Sequence, residues 1–129
     1  MAAGSLTFLD THVAVWLYSG HLDLLSEAAI AAISEGELRI SPMVVLEAEY
    51  LREIGRLTVR GEEIADGLAA ERGVQRDASP FGAIVRRALD LSWTRDPFDR
   101  LIVANALAAG GVLVTKDAVI RRESTVAVW

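Results

Sequence analysis

The 129-residue sequence predicts an α/β protein: a three-layer α/β/α sandwich around a central parallel sheet. Three observations predict it. LTFL (6–9) and VLVT (112–115) are apolar nearly throughout, the composition of strands buried on both faces. The stretches between such runs carry apolar residues at helical spacing. Strands and helices alternate along the chain, which argues for parallel strands joined by helical crossovers.

Taken in order, LTFL ends in a polar turn, and a helix is expected from about Val13 to Tyr18. In LLSEAAIAAISEG (24–36), Leu25, Ala29, Ile30 and Ile33 share a helical face and Gly36 stands where the helix should stop. LRIS (38–41) reads as the second strand. Pro42 suits the first turn of another helix, running to about Ile54 with Gly55 as its stop. A fourth helix is expected over 61–72, with GVQR (73–76) a weak candidate strand. Ser79-Pro80 reads as a cap followed by Pro at the first helical position. Behind it Phe81, Ile84, Val85, Ala88 and Leu89 form a core-facing stripe. DPFDRLIVANALAAG (96–110) is the sixth helix, VLVT a buried strand, and TVAVW (125–129) the last one.

The length and a hydrophobic content of 52% fit a single domain, 1–129, with a real core. The absence of cysteine removes disulfides, thiolate metal sites and thiol catalysis. No stretch reads as a membrane span or a signal peptide, so a cytoplasmic protein is expected. A net charge of −5 argues against a general nucleic-acid coat, but not against an enzyme whose acids gather at one metal site. Trp16, Trp93 and Trp129 are read as core or edge packing, with one available to anchor a dimer or a partner helix.

The acids are the informative residues. Asp10 follows the first buried strand and Asp117 follows VLVT; each also has a plain reading as a helix cap. On the helix after Pro42, Glu47 falls with Met43, Tyr50, Leu51 and Ile54 on the face expected to be buried. Glu49, Arg52, Glu53 and Arg56 fall on the other side, where they can pair in solvent. Asp96 caps the sixth helix with Pro97 at its first position. Asp99 stands at the third, close to a capping box with Asp in place of Glu.

Asp10, Glu47, Asp99 and Asp117 thus come from separated segments but map to the carboxyl edge of one sheet, where α/β proteins bind ligands. Two carboxylates 5 Å apart repel by roughly 3 kcal/mol at an effective dielectric near 20. Such a cluster persists if protons are shared or a hard divalent cation binds. Mg²⁺ or Mn²⁺ suits all-oxygen ligands, and a phosphodiester suits the positions left open.

Four segments carry a resemblance: LDTHV (9–13), SPMVVLEAEYLREIGRL (41–57), RDPFDRLIVANA (95–106) and LVTKD (113–117). In this order the chain resembles the PIN-domain family, in particular the VapC-type toxins of bacterial toxin–antitoxin pairs. The resemblance implies a quartet of acids, here Asp10, Glu47, Asp99 and Asp117, holding one or two Mg²⁺ or Mn²⁺ ions for cleavage of RNA, and the substrate expected is single-stranded or structured RNA. It also implies a homodimer and inhibition by a cognate VapB-type antitoxin. Asp96 is read as cap and support, and the helical face selects Glu47 over Glu49. Thr11 and Thr115 are expected to orient water or ligands. Arg95, Arg100 and Lys116 flank the acids as phosphate contacts or as ordinary surface and helix-end charges, and His12 stands beside Asp10 as a general base or an exposed first-turn residue. The alternatives are a receiver-like signalling domain and a non-catalytic interaction domain on the same scaffold. A dinucleotide-binding module is weaker, since no G-x-G-x-x-G follows a strand.

Overall fold

In the computed structural model, which describes residues 5–129, LTFL forms β1 (Leu6–Leu9) at the centre of a five-stranded parallel sheet. β2 (Glu37–Ile40) and β3 (Gln75–Arg76) lie on one side of it, β4 (Val112–Val114) and β5 (Ala127–Val128) on the other. Phe8 pairs with Arg39 of β2 and with Leu113 of β4. The chain winds outward from β1 through β2 to β3, then crosses back to β4. Its winding direction therefore reverses between β1 and β4, which opens a crevice at their carboxyl ends.

Helices cover both faces, completing the three-layer arrangement: α1 (Thr11–Ser19), α2 (Glu27–Glu35), α3 (Pro42–Glu53), α4 (Gly61–Arg72), α5 (Phe81–Ala88), α6 (Pro97–Ala109) and α7 (Ala118–Glu123). α1, α3 and α4 pack on one another, α5 lies along α6, and α6 rests on β1 and β4. Phe8, Leu9, Val13, Ile40, Ile102, Val103, Leu113 and Val114 are essentially sealed from water. Among the described residues no helix is long and apolar enough to cross a membrane.

Several expectations shift by a position for identifiable reasons. α1 starts at Thr11 rather than near Val13, because Asp10 is extended and its carboxylate accepts the Thr11 N–H as a cap. Ser41 is the cap of α3, not the end of β2: its hydroxyl accepts from Met43 N. Gly55, with φ of +83°, ends that segment as expected. Gly36 ends α2 in an extended conformation. Glycine is required there because a Cβ would meet Thr7 Oγ1 of β1 at 2.0 Å.

On α2 the buried side chains are Ala29 and Ala32, whose small size lets the helix lie close to its neighbours, while Ile30 turns outward. On α3, Val44 and Ala48 face the core, and Tyr50 and Ile54 stand in solvent. α5 begins at Phe81, with Pro80 in the cap position and no side-chain cap. The Ser79 N–H instead bonds the Asp77 carboxylate. Of the α5 stripe, Ile84 and Ala88 are buried, whereas Phe81 and Leu89 are 63% and 69% exposed.

Candidate active site

Each acid reaches the β1/β4 crevice by its own local device. Asp10 leaves the end of β1, where its backbone N–H still bonds Val114 O of β4. Its carboxylate is 8% exposed and held at both oxygens: Oδ1 accepts from Thr11 N at 2.8 Å, Oδ2 from Thr115 Oγ1 at 2.6 Å. Thr115 is wholly buried at the end of β4 and also accepts the Asp117 N–H at 3.1 Å. One hydroxyl therefore sets two of the four acids. Asp117 caps α7 through Oδ1, which takes the N–H groups of Val119 and Ile120, both at 2.9 Å. Glu47 is half-buried on α3 and accepts a short hydrogen bond from the buried Thr11 hydroxyl.

Asp96 is the cap of α6, accepting from Phe98 N at 2.9 Å and Asp99 N at 3.3 Å. The reciprocal half of a capping box does not form. The Asp96 N–H donates to Thr94 Oγ1 at 3.1 Å, so the Asp99 carboxylate is not drawn back to the helix end. It faces a cavity of about 580 Å³ lined by Asp10, Glu47, Asp96, Asp99 and Asp117, together with His12, Val13, Trp16 and Lys116.

The electrostatics match the geometry. Burial, then the charges of Asp96, Asp10, Asp117 and Glu47, push Asp99 up to about 7. Burial likewise raises Asp10 and Glu47, against the hydrogen bonds from Thr115 and Thr11 that favour their charged forms. The other acidic surface behaves oppositely. A groove of about 890 Å³ between α3, α4 and β3 contains Glu49, Glu62 and Asp66, but arginines neutralise them: Arg52 beside Glu49, and Arg76 at 2.7 Å from Glu62 and 3.0 Å from Asp66. Glu49 and Glu62 are correspondingly held below the usual carboxylate range. Arginine is absent from the lining of the crevice, where Lys116 is the one lysine or arginine, and present at the groove. This also separates Glu47, in the cavity, from Glu49, bound to Arg52 and Gly61 N.

The donor set fits a hard divalent cation: oxygen ligands only, partly desolvated and mutually repelling. Among the described residues no three acidic or histidine side chains close around a common point. An ion held here by one or two of these carboxylates would keep water in its remaining positions, as Mg²⁺ commonly does.

Of the flanking cations, Lys116 lines the cavity. Arg100 is a correction to the expected phosphate contact. Its guanidinium bonds the carbonyls of Ala88 at 2.8 Å and of Thr94 and Leu89 at 3.4 Å, closing the exposed end of α5. Arg95 is exposed and outside the cavity lining. Trp16, read from sequence as packing, lines the cavity too. The signal was its place one turn beyond His12 and Val13 on the helix that Asp10 caps.

Comparison with known proteins bears on the family and the fold. The family profile described as PIN domain matches residues 7–124. The chain is similar to Ribonuclease VapC22 of Mycobacterium tuberculosis, 37% identical over 112 residues, covering 84% of this chain and 85% of that one. Among solved structures it resembles VapBC-1 from nontypeable Haemophilus influenzae, with a TM-score of 0.62, 15% identity and coverage of 92% and 91%. It also resembles VapBC2 from Rickettsia felis bound to a promoter DNA fragment, with a TM-score of 0.58, 19% identity and coverage of 92% of each chain. DNA-bound VapBC from Salmonella typhimurium gives 0.59 and 20%, over 95% of this chain and 93% of that one. At these identities the structures attest the fold.

Proposed function

Since this chain belongs to the PIN-domain family, we propose that it is a metal-dependent endoribonuclease, the toxin of a VapBC-like toxin–antitoxin pair. The observation that carries the reading is the cavity itself. Asp10, Glu47, Asp99 and Asp117 converge on it from four segments, without the arginine partners that neutralise acids elsewhere on the surface.

In this reading those four carboxylates form the site, where one or two of them at a time would hold Mg²⁺ or Mn²⁺ with water in the remaining positions. When bound, the ion supplies Lewis acidity, positive charge placed against the phosphate oxygens as the phosphorus is attacked. The chain's own residues do the positioning. Thr115 fixes Asp10 and the turn that presents Asp117, Thr11 fixes Glu47, and the Asp96 cap aims Asp99. Lys116, which lines the cavity, is the phosphate contact in this reading.

A VapB-type antitoxin is the partner this reading requires. A homodimer is supported by two sets of exposed apolar side chains, Leu46 and Tyr50 on α3 with Ile54 just past its end, and Phe81 on α5 with Leu89 just past its end, on two helices that both pack on α6. The receiver-like alternative loses ground at the carboxyl end of β2, where Ser41 and Pro42 begin a helix directly after Ile40 and no carboxylate follows the strand.

The test is expression of wild type and Asp10→Asn without antitoxin, with transcriptome-wide mapping of new RNA 5′ ends. Wild type should generate new ends at defined sites and Asp10→Asn should lose them by at least about 100-fold. Identical maps from the two proteins, or none from wild type, would sink the assignment.

A further inference from the structure

The cavity has one wall that metal chemistry does not use. Trp16 is half-buried, packs on the core with part of its ring, and lines the same cavity as the four acids. His12, one helical turn before it, is exposed, and the two ring centroids are 6.1 Å apart with a 47° tilt. Behind Trp16 stands Trp129, at 6.4 Å and 53°, which limits how far the indole can swing away. The result is an aromatic ledge on α1, fixed from behind and bordering a carboxylate cage, with Lys116 lining the same cavity.

A nucleotide carries a flat base one sugar away from its phosphate. Aromatic faces beside a backbone-binding groove stack unpaired bases with little regard to sequence. We propose that Trp16, with His12 at its edge, is the stacking platform for an unpaired RNA base next to the scissile phosphate. In A-form duplex the bases are already stacked on one another and none can reach the ledge. This rests on the ribonuclease reading, with its single-stranded substrate, and adds to it a binding subsite.

The test is steady-state cleavage of a short unpaired oligoribonucleotide carrying an abasic residue at each position around the cut in turn. Wild type, Trp16→Leu and Trp16→Phe are compared, each checked for an intact melting transition. At one position the abasic residue should raise the wild-type KM about tenfold with kcat nearly constant. Trp16→Leu should show that raised KM on intact RNA and lose nothing more on the abasic one, and Trp16→Phe should recover most of the loss. Pairing the same position in a hairpin stem should mimic the abasic effect. If no abasic position affects wild type, or if abasic RNA and Trp16→Leu penalties simply multiply, the platform is wrong and Trp16 is a packing residue.

A second readout separates this failure from failure of the nuclease reading. In a Trp93→Phe, Trp129→Phe background Trp16 is the sole tryptophan, and unpaired RNA should quench its fluorescence more than duplex does. Quenching without cleavage would overturn the catalytic reading and keep the subsite. Cleavage without quenching would do the reverse.

Discussion

At the scale of single residues, Asp99 shows how the fold stores charge. Below about pH 4 its carboxyl is neutral in the folded and the unfolded chain alike. As the pH climbs to about 7 the unfolded chain ionises while the folded one resists, so stability without metal falls across that window. The raised carboxyls of Asp10 and Glu47 act in the same direction. In EDTA, Asp99→Asn should therefore melt higher than wild type at pH 7.5, and the two should approach each other at pH 4. Saturating Mg²⁺ should raise the wild-type melting temperature at pH 7.5 and leave the variant nearly unmoved. A variant that is less stable than wild type at pH 7.5 would contradict the charge assignment. Thr115 is the complementary case: Thr115→Val keeps the shape but removes the donor to Asp10 and the acceptor for Asp117 N. Mg²⁺ affinity by titration calorimetry should weaken roughly tenfold, the usual effect of losing a group that orients a ligand.

At the scale of elements, α6 joins stability to the site. Its cap is ordinary in kind, yet the Thr94 hydroxyl takes the one backbone donor that Asp99 would otherwise satisfy. Asp96→Ala should cost about 1 kcal/mol in denaturant unfolding, as lost caps do. It should also lower RNA cleavage, because the first turn that aims Asp99 loosens, whereas Asp96→Asn should keep most of the stability. An Asp96→Ala enzyme with full activity would show that the first turn holds without its cap. Asp10, Asp96 and Asp117 were legible in the sequence because they stand just after a strand or just before a helix, where capping and site-building use the same positions; Asp99 followed from the cap before it, and Glu47, in mid-helix, from its helical face. Arg100 was not, since a guanidinium beside a motif reads the same whether it meets a phosphate or, as here, the carbonyls at the end of α5.

At the scale of the whole molecule, the sheet order brings the ends of β1 and β4 together and so makes Asp10, Thr115 and Asp117 neighbours despite more than 100 intervening residues. The same architecture leaves the apolar stripes of α3 and α5 uncovered. If they form the dimer contact, Ile54→Glu combined with Leu89→Glu should sediment as a monomer where wild type sediments as a dimer. Secondary structure should be unchanged, since both side chains are largely in solvent. A monomeric wild type would remove the dimer from the proposal.

Local pattern by itself determined the strands at LTFL and VLVT, the caps at Asp10, Asp96 and Asp117, and the candidacy of the four acids, because apolar runs and capping chemistry act over a few residues. Which face of a helix is buried was decided only by packing. Helical spacing put Tyr50 and Ile54 with Glu47, and Phe81 and Leu89 with Ile84. The neighbours actually present cover Val44 and Ala48 instead on α3, and of the expected α5 stripe they bury Ile84 and Ala88 but leave Phe81 and Leu89 exposed. Tertiary structure likewise decided that Glu47 meets Thr11 while Glu49 meets Gly61 N, and that Trp16 borders the acids. The physical reason is range: a residue's spacing states which neighbours it can have on its own element, and only the assembled fold supplies the charge and surface across from it.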